Sequence, residues 1–379
     1  MSAAPAGALD GVRIADFSRV LAAPYATMLL ADMGAEVIKI ERPGGGDETR
    51  TWGPPWSQGE STYFLSVNRN KTSRVVDLTT EEGRHEAAEL VGSCDVLVEN
   101  FRTGTMEKFG LGYEQLAPSH PGLVYCSLTG FGPGEGADLP GYDLVLQAVG
   151  GLMSVTGADE AHPMKTGVAL VDVITGMHAA IGVLAALRHR DRTGNGQRVE
   201  VNLLSSILSA MTNQASAYVA GGTVPRPMGN RHPSIAPYEV FETADRPLAV
   251  AAANDKLFGR LAEGLGRPGL AADPRFATNS ERVAHREELA REMESCLRAE
   301  PADHWFARLT DLGVPCGPIN DVRQAFELAE RLGLEPVTEL ADGERPEPVR
   351  SVSHPVRMSL TPAAHRTAPP RYPGPGAAP

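Results

Sequence analysis

The amino-acid sequence predicts an α/β protein, with a large domain in which helices cover a parallel sheet and a smaller α+β domain. Three observations carry this expectation. Over roughly the N-terminal half, short apolar runs alternate with stretches of helical period. The chain has 379 residues, above the usual range of a single core. A stretch carrying four prolines and no clear period, residues 220–237, separates that alternation from a hairpin and a run of helices. The expected division is a large domain over 1–200, completed by about 320–379, and a small domain over 220–318, with linkers near 201–219 and 313–322.

Taken in order, Gly11 to Phe17 is a short apolar run, Pro24 to Met33 has helical spacing, and Glu36 to Glu41 is apolar again, which gives strand, helix, strand. Asp95 to Glu99 and Leu123 to Leu128 each follow a helix-like stretch, as strands of a parallel sheet do. In such sheets ligands lie beyond the carboxyl ends of the strands. That places Ser18-Arg19-Val20, Glu41-Arg42-Pro43, Asn100-Phe101 and Thr129 to Gly132 along one rim. Neither Gly44 to Gly46 nor Gly130 to Gly136 has the G-x-G-x-x-G spacing, and the first strand-to-helix turn contains no glycine, so a nicotinamide dehydrogenase is disfavoured. A helix from Ile174 to Leu187 and a strand from Arg198 to Leu204 complete this part. Beyond the Pro-rich stretch, Tyr238 to Phe241 and Leu248 to Ala252 form a hairpin, with helices over Asp255 to Leu265, Asn279 to Ala299 and Ala302 to Leu312. The tail from His365 onward, rich in Pro, Gly and Ala, is expected to be loosely attached.

A formal net charge of −12 argues against a nucleic-acid partner. No uninterrupted apolar stretch approaches ~18 residues, and the N-terminus lacks the charged and apolar regions of a signal peptide, so no membrane partner and a cytoplasmic location are expected. Cys94, Cys126, Cys296 and Cys316 are far apart and none lies in a cluster of zinc spacing, so the expectation is buried reduced thiols and no metal site.

Asp172 is the residue that invites chemistry. It follows the apolar Val168 to Val171 and stands at the start of a helix rich in small and aliphatic residues, where free N–H groups and the helix dipole tolerate an anion. Asp is also a preferred capping residue, so on this segment alone a helix cap remains the plain alternative. Gly176, Ala179, Ala180 and Gly182 would allow close approach of ligand and backbone, or simply of another helix.

The stretches from Gly11 to Arg50, Ser66 to Leu78 and Asp95 to Gly104, with Leu128 to Gly132, Gly167 to Gly182 and Arg192 to Val201, together resemble the class III CoA-transferase family. That family includes carnitine and formyl-CoA transferases and the α-methylacyl-CoA racemases. The resemblance runs from about Gly11 to Val322 in the same order throughout. It implies a Rossmann-like large domain and two chains threaded through each other as an interlocked homodimer. It also implies an acyl-CoA and a small carboxylic acid as substrates, with no permanently bound cofactor. Asp172, within Val171 to His178, matches the family's covalent nucleophile. Arg19, Val20, Arg42, Asn100 and Phe101 match CoA-site positions. Arg42 has the charge and planar surface for a phosphate or adenine contact, or is a solvated surface arginine.

Racemases of the family carry a histidine at the position of Tyr142, where it pairs with the aspartate to move an α-proton. A phenol is a poor proton carrier at neutral pH but can bond or pack against an acyl group, so the resemblance favours a transferase over a racemase or a non-catalytic CoA-ester-binding protein. Asp143 is assigned to structure. Leu21 stands where oxalate-using members have glutamine and their tetraglycine loop is missing, which disfavours formyl-CoA:oxalate exchange. Around Met228 to Pro233 the likeness is to members that use dicarboxylic acids. Arg231 is the expected fork for a second carboxylate, with His232 as a donor and Arg19 as the fallback, unless Arg231 and His232 only hold the loop.

Overall fold

The computed structural model describes residues 7–373 and divides the chain into two compact units. Of the described residues, the first comprises 7–153, 165–224 and 335–373, and the second 154–164 and 225–334. The excursion of 154–164 into the second unit carries no mark in the sequence.

The first unit opens with β1 (Arg13–Asp16), α1 (Ala22–Asp32) and β2 (Glu36–Glu41). A small antiparallel hairpin, β3 (Trp56–Ser57) and β4 (Glu60–Ser61), leads into α2 (Thr62–Val67). Then come β5 (Lys71–Val75), α3 (Glu81–Gly92), β6 (Val96–Glu99), α4 (Thr105–Lys108), α5 (Tyr113–Leu116), β7 (Val124–Thr129), α6 (Asp143–Val149), α7 (Leu170–Thr193) and β8 (Arg198–Asn202). The six longer strands form one parallel sheet in the order β5-β2-β1-β6-β7-β8. Strand order reverses between β1 and β6, and the loops leaving those two strands flank the crevice where doubly wound sheets bind ligands.

Both faces of the sheet are covered. On one, Ile14, Val37, Val96, Val98 and Val124 pack with α1 and α7; on the other, Ala15, Ile38, Leu97 and Tyr125 pack with α3 and the segment that follows β6. Because α1 is enclosed all round, ten of its eleven residues are buried and its sequence is apolar without a polar stripe. The central helix is longer than expected, reaching from Leu170 to Gly194, whose φ of 78° ends it in the left-handed conformation. It is long and apolar enough to cross a bilayer by composition, but Val171, Thr175, Ala179, Val183, Ala186 and Leu187 are buried within this unit, as in a core helix.

Three expectations are corrected. The 201–219 stretch is no open linker: after β8 it folds into α8 (Leu203–Ala210) and α9 (Thr212–Val219), the first capped by the Asn202 side chain, which accepts from Ser205 N–H at 2.8 Å. Of the four cysteines, all unpaired, only Cys126 is fully buried. The third correction is the tail, which is anchored as far as residue 372. Asn70 Oδ1 accepts from the N–H groups of Arg366 and Thr367, the Arg366 guanidinium donates to Ala31 and Ala35 carbonyls, and Ala368 packs with Leu65, Leu340 and Val349. Composition cannot show such backbone bonds; residues 374–379 lie outside the described part.

The second unit holds β9 (Tyr238–Phe241), β10 (Leu248–Ala251), α10 (Asp255–Gly264), α11 (Asn279–Ala284), α12 (Arg286–Leu297), α13 (Ala302–Asp311), β11 (Cys316–Pro318) and α14 (Val322–Arg331). Its sheet is antiparallel in the order β11-β10-β9, with Phe258, Leu261, Leu289, Met293, Trp305 and Leu309 in its core. Two differences appear here. The expected linker near 313–322 supplies a sheet strand, and the single helix expected over Asn279 to Ala299 breaks at His285, whose φ of −107° and ψ of 28° leave the helical region. A final hairpin, β12 (Val337–Leu340) and β13 (Val349–Val352), returns to the first unit.

Candidate active site

A cleft of about 220 Å³ opens at the carboxyl ends of β1, β6 and β7. It is lined by Arg19, Val20, Asn100, Phe101, Tyr142 and Asp172 together with Arg102, Thr129 and Gly130. Six residues singled out in the sequence thus share one cavity within one unit.

The floor is built across the switch point. Asn100 Oδ1 accepts from Arg19 N–H at 2.9 Å and its Nδ2 donates to Arg19 carbonyl at 2.7 Å, which ties the loop after β1 to the loop after β6. The Arg19 guanidinium stacks over Phe101 at 4.8 Å and pairs with Glu48 at 3.5 Å. Val20 has a φ of 70°, a strained conformation for a β-branched residue, in a loop whose neighbours hold it: Lys39 Nζ donates to Ser18 carbonyl at 2.8 Å and faces Asp47 at 2.9 Å.

Asp172 enters from the start of α7. It is not the cap: the N-cap is Ala169, and Asp172 stands in the first turn, half-buried. The free N–H groups of Val171 and Asp172 are instead taken by the Asp143 carboxylate, at 2.9 and 3.3 Å. Among the described residues no donor reaches the Asp172 carboxylate. Burial first, and the Asp143 charge second, push its pKa up to about 7. The result is a bare carboxylate in a cleft, close to half-ionised at neutral pH, and therefore a group able to act as base or nucleophile. Tyr142, at the start of α6, is 58% exposed and reaches the same cleft.

Arg42 lines a second, apolar cavity of about 150 Å³ with Phe17, Ile40, Val76, Leu78 and Thr79. Arg19 and Phe101 line both cavities, so the two adjoin. Arg42 Nε donates to Gly46 carbonyl at 3.2 Å, and the exposed head is free to meet a ligand or solvent.

The small residues of α7 serve packing. A Cβ on Gly176 would stand 2.4 Å from Ala22 carbonyl oxygen, one on Gly182 2.7 Å from Val199, and Ala179 and Ala180 are buried in the core. What they permit here is close packing of α7 against α1 at Gly176 and against β8 at Gly182.

Arg231 and His232 belong to the second unit. There the Arg231 guanidinium is committed: Nε donates to Glu239 at 3.1 Å, and both Nη groups bond to Glu287. A fork holding two carboxylates corresponds to the loop-holding alternative left open for Arg231 by the sequence. His232 accepts from Ser234 N–H at 3.1 Å and its ring lies 5.3 Å from that of Tyr238, again holding the loop. Asp143, assigned to structure from the sequence, makes a structural contact of that kind: it holds the first turn of α7 across 28 and 29 positions, a pairing that leaves no local signal.

Comparison with known proteins shows the family. The chain is 42% identical over 373 residues, 96% of its length and 92% of the relative's, to a succinate–glutarate CoA-transferase of Agrobacterium fabrum. It is 41% identical over 330 residues to an acetyl-CoA:oxalate CoA-transferase of Acetobacter aceti, covering 86% of this chain and 85% of that one. A crystal structure of a CAIB/BAIF family protein from Brucella suis superposes with a TM-score of 0.86 at 39% identity, over 97% of this chain and 96% of that one. Residues 9–374 match CoA-transferase family III. With that match over nearly its whole length, the chain belongs to CoA-transferase family III and is an enzyme of that class.

Proposed function

We propose that this enzyme moves CoA from an acyl-CoA donor to a dicarboxylic acid through an aspartyl-CoA thioester on Asp172. The observation that carries the reading is the Asp172 carboxylate, unpartnered and with its pKa pushed up to about 7, on a cleft beside the switch point of the sheet. An Oδ of Asp172 attacks the thioester carbonyl, the C–S bond breaks, and CoA thiolate leaves an acyl-aspartyl anhydride. The thiolate attacks the aspartyl carbonyl and expels the donor acid as a carboxylate. The incoming acid's carboxylate attacks the aspartyl thioester and expels thiolate, which attacks the acyl carbonyl of the new anhydride. Product acyl-CoA forms and the Asp172 carboxylate returns, with no net proton or water consumed. Water must be kept out, since either covalent intermediate can hydrolyse.

The adjoining cavities suit an elongated CoA ester, with the apolar one at Arg42, Leu78 and Thr79 for its distal end and the Asp172 cleft for the thioester. Both relatives carry dicarboxylic acids in their names, which supports a dicarboxylic acceptor. Oxalate stays among the acids to be tested, contrary to the expectation drawn from Leu21, because the Acetobacter relative is named for it. Arg19 and Arg102 are the cations lining the cleft and the groups we assign to a second carboxylate. An interlaced homodimer would give cover to the exposed Leu144, Val149, Val168, Ile181, Leu208 and Val219 of the first unit.

The test is to incubate the protein with succinyl-CoA, trap with hydroxylamine, and search for the modified peptide by mass spectrometry. Modification at Asp172, lost in Asp172→Asn, supports the mechanism; full transfer activity in Asp172→Asn removes it.

A further inference from the structure

Asp143 is placed where a helix normally supplies its own anion site. Its Oδ1 accepts from the N–H groups of Val171 and Asp172, and its Oδ2 accepts from Gln147 Nε2 at 2.6 Å. Gln147 is fully buried, and its carbonyl oxygen accepts from Thr166 N–H at 2.9 Å and Thr166 Oγ1 at 3.2 Å. The chain Asp143–Gln147–Thr166 therefore fixes both the first turn of α7 and the segment that leads into it.

We propose that Asp143 is the positioning residue of the transfer reaction: by occupying the N-terminal N–H groups of α7 with its own charge, it denies them to Asp172 and favours the covalently modified form of that side chain. The inference rests on the reading of Asp172 as nucleophile. An aspartate in the first turn of a helix ordinarily gains from the helix dipole and free N–H groups and becomes a weaker base. Here that stabilisation goes to Asp143, and the ionised Asp172 meets a second negative charge. The repulsion disappears once Asp172 is bound as anhydride or thioester, because the modified group is neutral. Attack thus relieves strain that the free carboxylate carries.

Other titratable groups near Asp172 do not replace this effect. Tyr142 on α6, Tyr63 on α2 and Tyr25 on α1 are phenols, and burial followed by the Asp172 charge raises Tyr63 to about 12. Arg19 is paired with Glu48 and stacked on Phe101, and Arg102 lies at the cleft wall. His178, further along α7, bonds Ser206 at 3.0 Å.

The double variant Asp143→Asn/Gln147→Glu tests the proposal while keeping the links of residue 143 to 147 and of 147 to Thr166, since the new amide can donate to the new carboxylate, which still accepts from Thr166; only the long Gln147 Nε2 bond to the Val168 carbonyl, 3.4 Å, is given up. It moves the negative charge away from Asp172. Carbodiimide labels protonated carboxyls, so the pH dependence of Asp172 labelling, read by peptide mass spectrometry, reports its ionisation without any turnover. The wild-type midpoint is expected near about 7. In the double variant it should fall by about one pH unit or more, a roughly tenfold lower labelling rate on the plateau's alkaline side. Formation of the Asp172 adduct from succinyl-CoA at alkaline pH should also slow by roughly tenfold, because less repulsion is relieved. A midpoint equal to wild type in a folded double variant overturns the proposal. A wild-type protein that labels near about 7 but never forms the adduct removes the nucleophile reading instead.

Discussion

Replacing Asp172 by asparagine should make the protein more stable at alkaline pH and leave its stability nearly unchanged in acid. An unfolded aspartate titrates near ~3.9, whereas burial, with the Asp143 charge added, raises the folded Asp172 to about 7. Between those values the folded state holds the extra proton, so stability falls as pH rises. The contribution is fully present below the unfolded pKa and lost as pH climbs through the folded one. At ~1.4 kcal/mol per pH unit, the ionised carboxylate costs the fold up to about 4 kcal/mol. Partial exposure lets solvent screen part of this, and about half, near 2 kcal/mol, is a fair working value.

The assay is urea unfolding of wild type and Asp172→Asn at matched protein concentration, at about pH 5 and about pH 8.5, on either side of the folded pKa. The gain from Asp172→Asn should be larger at the alkaline pH by about 1–2 kcal/mol, the share of the penalty lying between pH 5 and 7 after screening. An equal effect at both pH values, or a less stable variant in alkali, would show that Asp172 is stabilised as an anion and refute this account of the site.

Gly176→Ala should cost up to about 2 kcal/mol, since overpacking against the Ala22 carbonyl costs about 1–3 and offsets the ~1 kcal/mol gained in helix propensity; a stabilised variant would mean that α1 and α7 can part freely. Arg231→Ala removes the guanidinium from both its carboxylate partners and leaves the nearly buried Glu239 without that neutralising charge. Discounted for an arginine that is 36% exposed, the loss should be about 1–3 kcal/mol of stability, with mono- and dicarboxylic acids affected alike. Selective loss of dicarboxylate use would restore Arg231 to the acceptor site. With Tyr142 standing where a racemase has histidine, 2-methylacyl-CoA incubated in heavy water should gain no deuterium at C2, and rapid exchange dependent on Asp172 would favour racemisation.

Most of the parallel sheet was legible because β1, β2, β6 and β7 are short apolar runs next to helix-length stretches and the loops leaving such strands must share a rim; the polar edge strand β5, Lys71–Val75, was not foreseen. That logic brought Arg19, Val20, Arg42, Asn100 and Phe101 into one list, whereas Asp172 was reached from its place at a helix start and from the family resemblance. Contacts between distant positions were not legible. Asp143 reaches α7 across 28 positions, Glu287 reaches Arg231 across 56, and Asn70 anchors Arg366 across 296. The break of a polar helix at His285 also left no trace, since the periodicity on its two sides nearly matches. A Pro- and Ala-rich tail looked loose for a similar reason: Asn70 and the Arg366 guanidinium bind backbone groups far away in the chain, and composition does not show such pairings.

The turn without glycine after β1, which argued against a dinucleotide fold, has a physical account in the charges beneath it. Asp16, Lys39, Asp47 and Lys71 all have fully buried side chains or nearly so. Lys71 donates to Asp16, Pro24 carbonyl and Asn68, each at 3.0 Å, while Thr27 donates to Asp16 at 2.7 Å. Burying four charges is costly unless each is paired and fully bonded, and hydrophobic replacements are often no less stable. What the network supplies is position. Lys39 grips Ser18 carbonyl, Asp16 grips Ser18 N–H at 3.0 Å, and Asp47 Oδ1 faces Val20 N–H at 3.5 Å. A glycine loop would bring its backbone close to a pyrophosphate and remain flexible without one. Here a β-branched residue is held at φ 70° with its side chain present, so the wall of the cleft is already shaped before a ligand arrives.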